Sequence, residues 1–458
     1  MEGLEAAEVK LSECFENKDF RTDSSFYTAT LFVNPNLEYR PIGKCLHSSQ
    51  YGISISMNED GKGFPIYRMN EIHNLLCDLD VNKFADISLG ELSTFVLRDR
   101  DVLFNRTNSF EWVGRTGIYY KNDDVNRVFA SYLVRLIPDT SIILPEYLTT
   151  FLNTKFGMAD IKRRARQSIN QTNVNPEEVK EIRIPILDME LQQEVAIRLQ
   201  NANQKRIVAQ SLYSSAESYL LECLEMQDFV ANPDAYNIKT IKESFLESGR
   251  IDAEYYLPKY EDYTKAVSAY AGGVAPLNEV CMIQDDNYTP EAKQAYRYIE
   301  LADIGKSGDI IGCLCEKGED LPTRARRLVL TGDVIVSSIE GSLGSCALIT
   351  EDYNYALCST GFYVVRSSQI NSETLLTLFK SEPIQQLLKK GCSGTILTGI
   401  GKQEFKQMPI PLIRPEVQAE IAQYIQRSFA LRKEASQLLE EAKLSVEQAI
   451  AIGGGVNR

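Results

Sequence analysis

The segment Ile184-Pro-Ile-Leu-Asp-Met-Glu-Leu-Gln-Gln-Glu-Val195 lies where the sequence changes from short mixed runs to a long periodic pattern. It recurs 226 residues later, where Ile410-Pro-Leu-Ile413 precedes Val417-Gln-Ala-Glu-Ile421. After each Ile-Pro step, apolar residues fall mostly three or four apart, which is the spacing of an apolar stripe on a helix. From Leu191 and Val417 onward, no Pro or Gly occurs before Pro233 and Gly453. The pattern predicts two helices of about 36 residues, each about 54 Å long.

Upstream of each predicted helix, the same landmarks occur in the same order. Arg21-Thr-Asp-Ser-Ser-Phe-Tyr27 returns as Arg250-Ile-Asp-Ala-Glu-Tyr-Tyr256, Asp101-Val-Leu-Phe104 as Asp333-Val-Ile-Val336, and Tyr132-Leu-Val-Arg135 as Tyr363-Val-Val-Arg366. A hydrophobic-Gly step, Val113-Gly114 and Leu343-Gly344, follows about a dozen residues after each Asp-Val run. Several landmark pairs in one order and at a near-constant offset indicate an internal duplication.

Each copy begins with short β-type runs separated by Gly, Asn and Asp, which is typical of a mixed α/β domain. Residues 129–137 and 328–336 are predicted strands, and 148–156 and 375–379 predicted short helices. The predicted fold is mixed α+β, with two similar globular domains separated by two long antiparallel helices packed as a coiled coil, related by a pseudo-two-fold. Helices that pack only against their own domains are the alternative. The predicted boundaries are 1–187 and 238–413 for the globular domains, 188–237 for the first helix and linker, and 414–458 for the second helix and tail.

The chain of 458 residues carries 49 basic and 63 acidic residues, so its formal net charge is −14. A protein that grips DNA with its whole surface is expected to be basic, so DNA binding would have to come from local patches and from partner subunits. Ten cysteines without a CxxC pair and only two histidines favour buried thiols over a metal site. No apolar run approaches the roughly 18 residues of a membrane span, and no secretion signal stands at the start. The sequence predicts a cytoplasmic protein.

Two similar domains held apart by stiff helices suit a target that has two sites at a fixed separation. One turn of duplex DNA measures about 34 Å, so such helices could place the domains on half-sites more than one turn apart. The domains differ strongly between the shared landmarks, so the half-sites should differ in sequence. A duplicated protein-binding scaffold would show the same geometry.

Local chemistry favours DNA over a protein target. The run 161–170 carries four cations and no acid and is followed by amides and hydroxyls, which suit phosphates and base edges respectively. A solvated charged helix face is the alternative. A cation-plus-polar segment occurs at the matching place in the second half, polar residues follow both Asp-Val strands, and two polar loops add further cations. The candidate DNA contacts are Tyr51, Lys62, Arg68, Asn105, Arg106, Thr107, Asn108, Lys162, Arg163, Arg164, Arg166 and Asn170 in the first half, and Arg324, Arg326, Arg327, Ser337, Ser338, Lys389, Lys390, Thr395 and Lys402 in the second.

Together these segments resemble a known family, the specificity subunits of type I restriction-modification systems, over nearly the whole chain. The Ile-Pro steps followed by Glu190-Leu-Gln-Gln-Glu-Val-Ala-Ile197 and Glu416-Val-Gln-Ala-Glu-Ile421 look like the family's IPLPPLxEQxxI entry into its helical regions. The segments 250–256 and 332–335 look like the opening and the middle strand of its target-recognition domains. The first helix entry lacks the second proline, and the segment at Arg21 is looser than its copy.

The resemblance implies two target-recognition domains and two helices that act as a ruler between them. It also implies a non-catalytic subunit that binds double-stranded DNA, with two methyltransferase (modification) subunits docked around the helices and motor-nuclease subunits that join for cleavage. Gln192, Glu194, Gln418 and Glu420, at the helix entries, are the candidate partner contacts. No cofactor is expected on this chain, since S-adenosylmethionine would bind the methyltransferase.

The absence of enzyme motifs agrees with a non-catalytic role. A DNA adenine methyltransferase would be expected to show an Asn/Asp-Pro-Pro-Tyr/Phe motif, and the sequence has none. No GxxxxGK[ST] phosphate loop occurs, since Glu300 stands where the first glycine before Lys306-Ser307 should be. Two alternatives remain: the specificity subunit of another two-domain restriction-modification type, and an acidic DNA-mimic or anti-restriction scaffold.

Overall fold

The computed structural model describes residues 6–16, 20–169, 171–284, 286–394 and 398–453. Its helices are α1 Leu11–Glu16, α2 Ser24–Thr28, α3 Leu89–Phe95, α4 Pro145–Asn153, α5 Lys155–Arg164, α6 Pro176–Lys180, α7 Met189–Cys223, α8 Phe245–Ser248, α9 Pro258–Ser268, α10 Leu277–Val280, α11 Ser372–Lys380, α12 Glu382–Lys390, α13 Lys402–Gln407 and α14 Pro415–Ile452. The two long predicted helices are confirmed as α7, of 35 residues, and α14, of 38 residues.

The strands of the first half are β1 Tyr39–Pro41, β2 Leu46–Tyr51, β3 Phe64–Tyr67, β4 Ile72–His73, β5 Leu76–Cys77, β6 Phe84–Ala85, β7 Asp101–Asn105, β8 Thr107–Asn108, β9 Thr116–Tyr119, β10 Val128–Phe129, β11 Leu133–Pro138, β12 Arg166–Gln167, β13 Thr172–Asn173 and β14 Arg183–Pro185. Those of the second half are β15 Val274–Pro276, β16 Cys281–Gln284, β17 Ala295–Ile299, β18 Leu314–Lys317, β19 Ala325–Leu328, β20 Val334–Ser337, β21 Cys346–Leu348, β22 Leu357–Ser359, β23 Phe362–Ser367, β24 Cys392–Ser393, β25 Gly399–Ile400 and β26 Pro409–Pro411.

The contacts divide the chain into two compact units. Unit 1 contains Met1–Ile207 and Arg432–Arg458, and unit 2 contains Val208–Leu431. Each long helix therefore contributes one part to each unit. The domain boundaries predicted from the sequence stay predictions, since they treat the helices as separate from the globular domains.

The four-stranded sheet of unit 2 has the same strand order as the first four strands of the six-stranded sheet of unit 1. The order in unit 1 is β2-β11-β7-β9-β5-β4, and in unit 2 it is β16-β23-β20-β21. Each unit also pairs a strand near the Ile-Pro step with an earlier one, as β1 with β14 and β15 with β26. A parallel pair recurs as β3 with β10 and β17 with β22. The duplication read from the sequence is thus a duplication of topology.

In unit 1, the first part of α7 and the last part of α14 share one apolar core. It joins Leu191, Val195, Leu199 and Ala202 with Ala435, Leu439, Ala442, Val446 and Ile450. The ammonium of Lys205 on α7 pairs with the carboxylate of Glu434 on α14. Since the start of one helix meets the end of the other, the two helices run antiparallel in this unit.

In unit 2, the remaining parts of the same helices share a second core. Tyr213, Ala216 and Leu220 of α7 belong to one apolar cluster with Val417, Ile421 and Ile425 of α14. The hydroxyl of Ser428, which is fully buried, donates to the carbonyl of Ala209 at 2.7 Å. The predicted mixed fold with two long antiparallel helices packed on each other is therefore confirmed within each unit. The pseudo-two-fold stays a prediction.

The prediction of one continuous strand at 129–137 and another at 328–336 is wrong. Each is two strands interrupted by a turn, β10 and β11 in unit 1 and β19 and β20 in unit 2. In the turn of unit 2, Gly332 adopts a φ of +87°, a conformation that favours glycine. The side-chain carboxylate of the following residue, Asp333, accepts a hydrogen bond from the backbone amide of Leu330. The short helices predicted at 148–156 and 375–379 correspond to α4 and α11, whose bounds are shifted by a few residues.

Candidate nucleic-acid interface

In unit 1, two of the predicted DNA-binding segments lie in one small sheet. Strands β12, β13 and β8 pair in that order, so Arg166 and Gln167 pair with Thr172 and Asn173, which pair in turn with Thr107 and Asn108. The turn between β12 and β13 is closed by the amide and hydroxyl of Ser168, which both donate to the carbonyl of Gln171 at 2.8 Å. This hairpin presents exposed polar and cationic side chains, and a two-stranded ribbon of this kind fits the major groove.

The cations of α5 mostly bind groups of unit 1 itself. Arg163 and Arg164 both donate to Asp160, at 2.9 Å, and only 18% and 8% of their side chains are exposed. The ammonium of Lys162 donates to the carbonyls of Glu111 and Val113 at 3.0 Å, and burial lowers its pKa. We therefore omit these three residues from the proposed contact surface. Half of the Arg166 side chain is exposed, and its guanidinium lies 3.6 Å from the carboxylate of Glu178.

The segment 105–108 is divided between the core and the surface. Asn105 and Thr107 are buried. The side-chain amide of Asn105 donates to the carbonyl of Trp112 at 3.2 Å, and the hydroxyl of Thr107 donates to the side-chain oxygen of Asn173 at 2.7 Å. The guanidinium of Arg106 lies 5.3 Å from the ring centre of Tyr51, which ends β2. The structure thus brings Tyr51 and Arg106 together, and Asn108 is half-buried beside β13.

The loop 51–68 holds the other two candidates of unit 1. Lys62 is exposed, and its backbone amide donates to the side chain of Asn58. Arg68 forms a 2.5 Å ion pair with Glu71, three residues later. Lys62 can therefore contact a ligand, whereas the guanidinium of Arg68 is already paired with the carboxylate of Glu71.

In unit 2, the matching hairpin is β24 with β25, which continues to pair at Ile339. The correspondence extends to single hydrogen bonds. In unit 1 the backbone amide of Val174 donates to the carbonyl of Arg106, and in unit 2 the backbone amide of Ile400 donates to the carbonyl of Ser338, both at 2.9 Å. Lys389 is half-buried, 3.9 Å from Glu254. Lys402 lies exposed at the start of α13.

Other candidates of unit 2 are held more tightly or lie elsewhere. Lys390 donates to the hydroxyl of Thr264 at 3.2 Å, and burial lowers its pKa. Ser337 is fully buried, and the hydroxyl of Ser338 donates to the carbonyl of Gly361. We omit these three residues from the proposed surface. Asn170 and Thr395 lie outside the described residues.

The three arginines predicted in the loop 320–327 lie along the other sheet of unit 2, whose strand order is β18-β17-β22-β19. Arg324 is exposed and pairs with Glu300 at 2.7 Å. Arg326 donates to the carbonyl of Thr323 at 3.1 Å, and Arg327 to the side chain of Asn287 at 3.2 Å. The structure therefore does not place them in the hairpin of β24 and β25, which follows Lys389 near the end of α12.

Sequence reasoning missed the residue at the tip of the unit 1 hairpin. Ile169 is 99% exposed, next to the exposed Ser168 and Gln167. Apolar side chains can contact the methyl group of thymine in the major groove. No signal in the sequence marks Ile169, because an isolated isoleucine in a polar run is read as part of the core.

The glutamines predicted to bind partners instead hold the helix entries in place. In unit 1, Gln192 is 1% exposed, accepts from the amide of Leu144 at 2.8 Å and donates to the carbonyl of Leu187 at 2.9 Å. In unit 2, Gln418 bonds in the same way to Asn371 and Ile413. We omit both from the proposed partner surface. Of the two glutamates predicted with them, Glu194 is exposed and Glu420 half-buried.

The described ranges hold neither a metal cluster nor a membrane-spanning helix. They contain no group of three or more His, Cys, Asp or Glu side chains that could hold a metal ion. Among these same residues, no helix is both long enough and apolar enough to cross a membrane.

The fold and the sites define a duplicated protein, in which two units of related topology each carry a short hairpin at the corresponding place. Over 163 residues it is 28% identical to the putative type I restriction enzyme MjaX specificity subunit of Methanocaldococcus jannaschii, covering 35% of this chain and 37% of that relative. Over 150 residues it is 27% identical to the type I restriction enzyme EcoKI specificity subunit of Escherichia coli strain K12, covering 32% of each. The chain thus spans about a third of the length of the curated relatives it matches.

Both curated relatives confirm the resemblance to type I specificity subunits, and neither favours the alternatives. No family model matches the chain. Solved structures with a similar fold include the type I S subunit from M. genitalium, at 13% identity and TM-score 0.42, covering 92% of this chain and 98% of that one. Another is the HsdS subunit from Thermoanaerobacter tengcongensis, at 14% identity and TM-score 0.30, covering 91% and 97%.

Proposed function

We propose that this chain is the DNA-recognition subunit of a type I restriction-modification complex, and that each unit reads one half of a bipartite target. The observation that carries the proposal is the repeated hairpin, β12 with β13 and β24 with β25, which stands in the same place of the same topology in both units. The two hairpins differ in sequence, so the two half-sites differ as well.

The residues proposed to meet DNA are those that the units leave accessible. In unit 1 they are Tyr51, Lys62, Arg106, Asn108, Arg166 and Ile169; in unit 2 they are Arg324, Lys389 and Lys402. Cations bind phosphates and fix the register, whereas amide, hydroxyl and apolar groups discriminate between bases. Six of these nine residues are cations, three in each unit, and the chain's net charge of −14 makes partner subunits the expected source of further phosphate contacts.

The proposed role is non-catalytic. Two methyltransferase subunits would dock around the helices and bind S-adenosylmethionine, and motor-nuclease subunits would join them for cleavage. Both curated relatives are named as specificity subunits of type I restriction enzymes, which supports this division of labour. Of the residues predicted for partner binding, Glu194 and Glu420 stay candidates.

The test of this function compares the pure chain with the chain bound to its methyltransferase. We expect the pure chain to bind duplex DNA weakly and without sequence preference, with a dissociation constant of about 10 to 100 μM at physiological salt, because its net charge opposes binding. With the methyltransferase bound, we expect affinity for the target duplex to rise about a thousandfold. Fluorescence anisotropy at one fixed salt concentration measures both, with a scrambled duplex as control. Tight, sequence-specific binding by the pure chain would contradict the proposal.

Replacement of Arg166 by alanine tests the hairpin of unit 1. We expect the complex to lose affinity for all duplexes alike and the slope of log K against log salt to fall by about one, because one phosphate contact is lost. Glu178 keeps its ion pair with Arg21 at 3.2 Å, so the fold should survive the change.

The matched control for Arg166→Ala is Lys121→Ala, an exposed cation of the same unit. Its neighbour Asn122 contacts Asn203 on α7 and is not part of the hairpin. An equal loss of affinity in both variants would show that only overall charge matters, and the hairpin would then have no special role.

A further inference from the structure

The repeated Arg-x-Asp segment forms the same cluster in both units. The guanidinium of Arg21 donates through Nε and Nη2 to the carboxylate of Asp23, at 2.9 and 2.6 Å. Arg250 binds Asp252 through the same two nitrogens, at 2.8 and 2.6 Å. In each case the hydrogen bonds from arginine lower the pKa of the aspartate, so the carboxylate stays charged. A two-point pair of this kind fixes the plane of the guanidinium.

Aromatic residues of the same segment complete each cluster. The hydroxyl of Tyr27 donates to the carbonyl of Arg21 at 2.9 Å, and that of Tyr256 to the carbonyl of Arg250 at 3.0 Å. The guanidinium of Arg21 lies 4.6 Å from the ring centre of Phe26, and that of Arg250 lies 4.3 Å from Tyr255. The arginine is thus held from several directions in both units.

The remaining N–H groups of each arginine reach the chain where a hairpin begins. Arg21 Nη1 donates to the carbonyl of Arg164, the last residue of α5, at 2.9 Å. Arg250 Nη2 donates to the carbonyl of Cys392, the first residue of β24, at 2.7 Å. The last carbonyls of a helix lack partners within the helix, and a cation is favoured there. Each arginine therefore fixes the point from which its hairpin leaves the preceding helix.

We propose that Arg21 and Arg250 are positioning residues for DNA recognition, each of which sets the orientation of the hairpin that reads one half-site. The inference rests on the proposed function and adds a role for residues that touch no DNA. Specificity needs base-reading groups held to within a fraction of an ångström, and short two-residue strands supply little rigidity of their own. The arginine cluster supplies it from outside the hairpin.

The experiment uses the full chain with its methyltransferase and reads the methylated sites of host DNA by long-read sequencing. In Arg250→Gln, we expect discrimination between bases to fall by about tenfold or more in one half-site, while the other half-site and the spacer stay as in the wild type. Arg21→Gln should relax the opposite half-site, so each variant is the control of the other. Unchanged motifs, or equal loss in both half-sites, would overturn the inference.

Two further measurements separate positioning from loss of fold. Hydrogen exchange of Arg250→Gln should speed up at the amides of β24 and β25 and stay unchanged in β16, β23, β20 and β21; faster exchange throughout unit 2 would overturn the inference. If Arg250→Gln does not fold, Arg250→Lys decides, because lysine keeps a donor for the carbonyl of Cys392 but loses the two-point pair with Asp252. Arg250→Lys should lower discrimination between bases in the same half-site, but less than Arg250→Gln would. A methylated motif identical to that of the wild type would contradict the positioning role.

The failure of this inference can be told apart from failure of the proposed function. If the wild-type chain directs no methylation at bipartite sites, the proposed function fails and the inference with it. If the wild type directs such methylation and folded Arg250 and Arg21 variants keep its motif unchanged, only the positioning role fails.

Discussion

Arg135→Ala is expected to destabilise unit 1 by about 3 to 5 kcal/mol, because it leaves a buried charge without its partner. The guanidinium of Arg135, on β11, donates to the carboxylate of Asp101, on β7, at 3.0 Å and to the carbonyl of Val96 at 2.8 Å. Only 7% and 6% of the two charged side chains are exposed. Burial already raises the pKa of Asp101, so its carboxylate depends on the arginine for compensation.

The duplication supplies a matched control, Arg366→Ala. Arg366 pairs with Asp333 at 2.7 Å in unit 2, but 36% of its side chain is exposed. Water can therefore replace the lost guanidinium, and we expect a smaller loss of stability than in Arg135→Ala.

The two variants can be distinguished by fluorescence, because the chain has a single tryptophan, Trp112, which lies in unit 1. In denaturant unfolding, Arg135→Ala should move the transition of Trp112 to lower denaturant. Arg366→Ala should leave that transition in place while it shifts part of the circular-dichroism transition of the whole chain to lower denaturant. An unchanged Trp112 transition in Arg135→Ala would contradict the prediction.

The sequence predicted the helices and the duplication well because both are long-range regularities. An apolar stripe of more than thirty residues is difficult to produce by chance, and α7 begins at Met189, within the quoted segment. The Arg-x-Asp landmarks also proved informative, since Arg21 and Arg250 form the same two-point pair with an aspartate in both units. The repeat was therefore a sign of shared three-dimensional contacts.

The candidate DNA contacts were harder to predict, because exposure is decided by tertiary partners that a short run does not show. The basic run from 161 to 170 contains no acid, yet Asp160, one residue before it, binds Arg163 and Arg164. Lys162 reaches carbonyls some fifty residues away along the chain. A cationic composition thus indicated the hairpin that we propose as the DNA contact, but it included several cations that the structure pairs with groups of the fold itself.

The glutamines of the helix entries illustrate the same limit. Their recurrence marked Gln192 and Gln418 as functional, and the family resemblance suggested partner contacts. In the structure, each is buried and binds the loop before α4 or α11. Recurrence in two copies draws attention to a residue, and the contacts of these two glutamines indicate a structural role.

Matched insertions of four residues, after Gln204 in α7 and after Lys433 in α14, are expected to lengthen the spacer between the two half-sites. In the proposed function these helices set the distance between the readers. Equal insertions lengthen the two helices by the same amount, and the contacts they separate are polar ones, those of Lys205 with Glu434 and of Arg206 with Asp78 and Cys77. The apolar contacts of unit 1 lie on one side of both insertions and those of unit 2 on the other, and all of them are kept.

The expected change follows from helix geometry. Four residues add about 6 Å of helix, which corresponds to one or two base pairs at 3.4 Å each. Long-read methylation profiling measures the spacer directly. Four residues inserted after Pro233, in the exposed segment that follows α7 in the sequence, provide the length-matched control. An insertion in α7 alone should instead abolish methylation, because the two helices can no longer keep both sets of apolar contacts. If the double insertion folds and methylates with the original spacer, the helices do not measure the distance between half-sites, and the spacing must be set by the partner subunits.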